Sequence, residues 1–240
     1  MTCKTNSNIF FTVTFLFMAG ALYLVFLYAP TEKTMGDVQR IFYFHVSGAW
    51  ISFLTFAVTC FGSIGFLYRK NVKWDRVASS SAEIGLLFTT ITLITGSIWG
   101  RYAWGIWWTW DARLTSMLVL WLIFLSYLML RSYIEEETKR AYVSSVVGII
   151  GFLDVPVVYF SIRWWRTQHP SPVIAGGESS GLEPPMLLTF MFCLAAFTIF
   201  YFFLLRIRTK LEEARAEVDF LFKVLEHQSE ECTPPAVNRR

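Results

Sequence analysis

Six apolar runs, each about as long as a bilayer's hydrocarbon core requires of a helix, constrain this chain more than any other feature. They cover residues 9–29, 46–68, 77–98, 114–130, 142–162 and 186–205. About 20 apolar residues span a bilayer as a helix. Within lipid each backbone N–H and C=O must find its partner inside the protein, so such runs are helices. The expected fold is therefore all-α, a bundle of six transmembrane helices. Composition agrees: 55% of the 240 residues are hydrophobic and only 16% are charged, which excludes an ordinary soluble domain. The first run is long for a signal-peptide core, and Tyr28-Ala29-Pro30 is a poor cleavage site, so it is read as a retained span.

Charge sets the orientation. Fifteen of the 21 Lys and Arg residues fall in the segments on the side of the two termini, and six fall in the alternate loops. The positive-inside rule then places both termini in the cytoplasm. The segments 30–45, 99–113 and 163–185 become outer loops. Residues 1–205 form the membrane domain, and 206–240 form a cytoplasmic amphipathic helix with a disordered end. In that tail Leu211, Ala214, Val218, Leu221 and Leu225 recur at heptad-like spacing.

The second outer loop is unusual. Five of the ten tryptophans lie within twelve residues, at Trp99, Trp104, Trp107, Trp108 and Trp110. An interfacial belt needs only one or two aromatics at each span end. This density reads as an indole platform for a flat, apolar, polarisable ligand. Read as a helix, the stretch puts Trp104, Trp108 and Asp111 on one face, with Trp107 adjacent. Trp99 and Trp110 suit anchoring of the flanking spans. Asp111 stands where an N-cap of the fourth span belongs, and it can also hold an indole N–H or an arginine.

Two of the three histidines sit in the outer loops on either side of this platform. His45 is at the mouth of the second span, His169 lies in the third outer loop, and His227 is in the tail without an assigned role. Imidazole is a usual axial ligand of haem iron. Two of them beside an indole platform suit a six-coordinate, bis-histidine iron. Haem propionates call for arginine, which pairs with carboxylates bidentately. Arg101 and Arg113 flank the platform, with Arg40, Arg163 and Arg166 nearby. Each also suits snorkelling at an interface.

Two acids lie inside apolar runs. Glu83 and Asp154 are expected to make hydrogen bonds between helices, or else to line a proton or ligand path. Cys3, Cys60, Cys193 and Cys232 form neither a C-x-x-C nor a C-x-x-C-H motif, which excludes a local dithiol site and covalent haem attachment to the chain itself.

These residues carry a resemblance. Trp99-Gly100, Trp104-Gly105 and the run Trp107-Trp108-Thr109-Trp110-Asp111-Ala112-Arg113-Leu114-Thr115-Ser116 resemble the WWD signature of the haem-handling superfamily. The Asp-Ala-Arg-Leu-Thr-Ser ending is most similar to the CcmC family of bacterial cytochrome c maturation. So are the segments Arg40-Ile41-x-Tyr43-x-His45-Val46, Ala82-Glu83-Ile84-Gly85 and Trp164-Trp165-x-Thr167-x-His169. Departures are Ser47 and Asp154, where the family often has proline and asparagine, and Gln168-Pro170 around the second histidine.

The resemblance implies an inner-membrane protein, not an enzyme, that holds haem b transiently at its periplasmic face. Its implied site is His45 and His169 as axial ligands, with Trp104, Trp107, Trp108, Trp110, Asp111, Arg101 and Arg113 around the ring. Implied partners are the haem chaperone CcmE, the ABC transporter subunits CcmA and CcmB, and the small membrane protein CcmD. Absence of a P-loop fits an ATPase on separate chains. Competing readings are a WWD-type cytochrome c synthase subunit, a membrane cytochrome that keeps its haem, and a small-molecule permease with an aromatic gate.

Overall fold

A computed structural model describes residues 2–165, 167–170 and 182–231, with side chains from residue 8 onward except 227 and 229–231. Arg166, the 171–181 segment and the expected disordered end at 233–240 lie outside the described residues. Among those described, the chain is helical, with no strand beyond one isolated bridge between Glu32 and Gly36. Six helical segments are long and apolar enough to cross a membrane. The helices are α1 (Thr2–Tyr23), α2 (Ile41–Arg69), α3 (Val72–Trp104), α4 (Ala112–Tyr133), α5 (Glu137–Phe152), α6 (Asp154–Trp164) and α7 (Pro184–Glu231).

Several boundaries differ from the hydropathy reading. α1 continues as a π-helical turn, Leu24–Tyr28, whose wider ladder frees carbonyl oxygens. The Arg40 guanidinium takes the one on Val25 and also binds Asp37 and Thr31. Arg40 is thus spent on holding the first span to the second. A 3₁₀ turn over Asp37–Arg40 leads into α2, so His45 lies in the second turn of a helix and not in the loop before it. Helix α3 likewise runs through Trp99 to Trp104, and only 105–111 of the Trp-rich stretch is loop.

The centre of the bundle is the tight pair α2 and α3, joined through Lys70 in a left-handed conformation and Asn71, whose side chain caps Lys73 N. Small polar residues line their seam. Thr55, Thr59, Ser81 and Thr89 are fully buried. Their hydroxyls return to carbonyls one turn back or cross between helices, as Ser81 does to Thr55 O at 2.7 Å. In lipid, small residues let backbones approach, and close packing with hydrogen bonds takes over the role the hydrophobic effect plays in water. Apolar side chains pack outside the seam. Phe56 stacks on Phe124 of α4 at 3.6 Å, and α1 packs on α7 around Val25, Phe190 and Cys193.

Two ion pairs clamp the end of the bundle away from the Trp loop. Arg131 binds Asp75 bidentately at 2.7 and 2.9 Å. Arg208 of α7 binds Glu83 at 2.5 and 2.7 Å and also reaches Glu212. Glu83 therefore makes the interhelix bond expected of it.

Span five is broken. Leu153 N–H turns back to Ile150 O, and Pro156, without an N–H, sits in the first turn of α6. The two halves then part: α5 packs chiefly on α2, and α6 chiefly on α4. Asp154 stands at this break with Oδ2 buried and unpartnered, so the interhelix bond expected of it is not made there.

Candidate functional site

The parting of α6 from α2 leaves a cleft of about 710 Å³, its mouth included. Helices α2, α3, α4 and α6 form its walls, and the 105–111 loop and His169 close over it. One face of α2 contributes His45, Ala49 and Phe53 at successive turns. One face of α3 contributes Thr92, Gly96 and Trp99 in the same way. Leu93, Met117 and Val158 make the deep end apolar.

The Trp-rich loop is built by its two ends. At Gly105 the backbone takes φ 75°, a conformation that favours glycine, and its N–H closes on Arg101 O. The Arg101 side chain binds Gly105 O, which fastens the turn and draws that guanidinium away from the cleft. At the other end Asp111 caps α4, with Oδ1 accepting from Arg113 N at 3.0 Å and Leu114 N at 2.9 Å. The expected helical face of Trp104, Trp108 and Asp111 is not formed, because the helix stops at Trp104. The indoles do not make one flat platform either. Trp99 meets Trp104 edge to face at 5.2 Å, and Trp108 meets Trp110 in the same manner at 5.6 Å. Trp99, Trp104, Trp107 and Trp108 all line the cleft. Trp107 is 59% exposed at the mouth, and Trp110, 76% exposed, lies outside the lining.

His45 and His169 both line this one cleft, although 124 positions separate them in the chain. His169 is held by local bonds. Its N–H donates to Thr167 Oγ1 at 3.1 Å, and Thr167 donates to Asp111 Oδ2 at 2.9 Å. Its Nδ1 lies 3.1 Å from Pro170 O. A carbonyl can only accept, so Nδ1 carries the proton and the lone pair sits on Nε2. Burial, and then the Arg113 charge, push the His169 pKa down to about 4. The ring is therefore neutral near pH 7, the form that binds a metal ion. His45 Nδ1 faces Thr95 Oγ1 at 3.0 Å.

Several donors around the cleft have nothing to bind. Trp99 Nε1, Trp108 Nε1 and Arg113 Nη1 are buried without a hydrogen-bond partner. Buried polar groups are rarely left so, and each lost partner costs about 1–3 kcal/mol. All three residues line one apolar cleft, which fits a ligand that is largely apolar and carries acceptor groups, at least one of them anionic. A porphyrin with two carboxylates and an open-faced metal has those properties. Of the arginines named from sequence, Arg113 alone lines the cleft among the described residues.

Sequence reasoning missed Thr95 and the deep lining residues, named Thr167 only as part of a motif, and took Trp99 for an anchor. A helical-face reading that continued past the hydropathy boundary would have placed Thr92, Gly96 and Trp99 together.

Known proteins resemble this chain over most of its length. The profile of the family described as CcmC, Heme exporter protein C, matches residues 1–221. A Heme exporter protein C from Bradyrhizobium diazoefficiens is 36% identical over 174 residues, covering 72% of this chain and 66% of that protein. One from Haemophilus influenzae is 30% identical over 210 residues, 88% of this chain and 85% of that protein. A ccmC-like mitochondrial protein of Marchantia polymorpha, described by cytochrome c biosynthesis, is 36% identical over 206 residues, 85% of each chain.

Proposed function

The chain belongs to the Heme exporter protein C (CcmC) family, and from that premise we propose that it holds haem between His45 and His169 and delivers it to a periplasmic chaperone. Family membership supports a role in haem handling for cytochrome c maturation, in a multi-pass membrane protein. The observation that carries the finer reading is the meeting of His45, His169, four indoles and an unpaired Arg113 donor at one cleft.

Each group has a part in the proposal. His45 and His169 ligate the iron of haem b through Nε2. Trp104, Trp107 and Trp108, with Trp99, cover the ring, and the exposed Trp107 and Trp110 face the chaperone. Arg113 pairs with a propionate. Arg101 shapes the loop, and Asp111 joins the loop to the His169 segment. The site leaves one edge open, as a protein that hands its cargo on requires. The recipient is CcmE, and the complex includes CcmA, CcmB and CcmD. The cleft faces the periplasm across the inner membrane, both termini are cytoplasmic, and 206–240 extend from the 1–205 membrane domain.

Absorption spectra of the purified protein, oxidised and reduced, test this beside the His45→Ala/His169→Ala double variant. A six-coordinate, low-spin signal that the double variant loses supports the bis-histidine site. No haem in either protein, with haem supplied, favours the permease reading. A reporter fused after Arg240 tests the topology, and a periplasmic signal overturns it.

A further inference from the structure

Residue Thr95 has no place in the motifs and does not line the cleft, yet its hydroxyl is a hydrogen-bond partner of the His45 ring. Its hydroxyl has a single proton. That proton is directed to Ile91 O, one turn back on α3, at 2.7 Å. The Thr95 oxygen is thereby left as an acceptor, and the His45 Nδ1 that faces it at 3.0 Å must bring the hydrogen. A second acceptor, Thr92 O, lies 3.3 Å from the same hydroxyl and is itself a backbone hydrogen-bond partner of the ring. It too cannot donate.

The ring has little freedom to turn away. A Cβ on Gly96 would lie 2.9 Å from His45 Cε1, so α3 comes against the imidazole at the one residue that offers no side chain. The ring is thus packed against α3 and bonded to it on the Nδ1 side.

We infer that Thr95 is a positioning residue for His45: it holds the Nδ1–H tautomer and turns the Nε2 lone pair toward the cleft. The inference rests on the reading of His45 as a haem ligand. Metal-ligating histidines generally donate their second N–H to an acceptor, which fixes ring orientation and raises ligand basicity. The two histidines reach the same tautomer by different means. His169 uses a backbone carbonyl, which no substitution removes, whereas His45 has beside the Thr92 carbonyl a side-chain acceptor that mutation can delete.

Thr95→Val preserves shape and removes the nearer, side-chain acceptor while Thr92 O stays, and Thr95→Ser restores it. Two measurements apply. Nitrogen NMR of the histidine rings in haem-free protein should show one Nδ1–H tautomer for His45 in the wild type and in Thr95→Ser, with the Nε2–H form present in Thr95→Val. Haem titration followed by absorption should show a loss of affinity of roughly 10–100-fold in Thr95→Val, recovered in Thr95→Ser, with the protein still inserted and folded. An unchanged tautomer together with unchanged affinity in Thr95→Val overturns the inference. His45→Ala separates the two readings. If it leaves the haem spectrum intact, the ligand assignment itself fails. If it abolishes the spectrum while Thr95→Val behaves as wild type, only the role of Thr95 fails.

Discussion

Asp111 Oδ2 accepts a hydrogen bond from Thr167 Oγ1 at 2.9 Å, across 56 positions of sequence. The same carboxylate caps α4 through its other oxygen. One acid therefore starts a transmembrane helix and ties down the segment that carries His169. Thr167→Val separates these jobs. It removes the tie and the acceptor for His169 N–H but leaves the cap intact. Haem affinity should fall with little change in thermal stability, and Thr167→Ser should recover it. Asp111→Ala should do both kinds of damage, with a stability loss of about 1 kcal/mol from the cap alone. Equal haem affinity in Thr167→Val and wild type would show that the tie has no bearing on the site.

The low pKa of His169 sets an acid limit. Ligation needs the unprotonated ring. With its folded pKa pushed down to about 4, chiefly by burial, the ring stays available well below the ordinary histidine value near 6.5. Haem ligation should hold from neutral pH to about 5 and be lost as pH falls through about 4. The same shift has a cost in the haem-free protein. Its unfolded chain takes up this proton near 6.5 while the folded chain resists, so stability contributed by His169 declines between about 6.5 and 4. Spectral loss beginning at pH 6.5 would place His169 in solvent.

Arg113 has a buried Nη1 without a partner beside the cleft. A hydrogen bond between charged groups contributes about 1.5–3 kcal/mol, equivalent to roughly 10–100-fold in affinity. Arg113→Gln should weaken haem binding by that amount. Its affinity for the dimethyl ester of haem, which lacks the carboxylates, should match that of the wild type. A similar loss for both ligands would assign Arg113 a packing role.

Asp75 and Arg131 form a bidentate pair, with side chains 5% and 13% exposed. Removing one partner leaves a buried charge alone, at a cost of about 3–5 kcal/mol. Asp75→Asn should lower the thermal midpoint of the detergent-solubilised protein while leaving the haem spectrum unchanged. A changed spectrum would mean that this clamp and the cleft are coupled.

Much of the architecture was legible in sequence because membrane insertion imposes a one-dimensional rule. A run of about 20 apolar residues must be helical, so six helices follow from hydropathy alone. The N-cap role of Asp111 was equally local, since a cap depends on the next three residues. Tertiary structure decided the rest. Hydropathy marks where lipid ends, not where a helix ends, so it ended the third span before Trp99 and put His45 outside the second. Nor can it register a helix that breaks at Leu153 and sends its two halves to different neighbours, the rearrangement that opens the cleft. The meeting of His45 with His169, the closure of Thr167 on Asp111 and the bond from His45 to Thr95 depend on how α2, α3 and α4 pack. Those contacts join residues 50 to 124 positions apart. Local pattern carries no information about such distances, because the choice among partners is made by packing and hydrogen bonding between helices already formed.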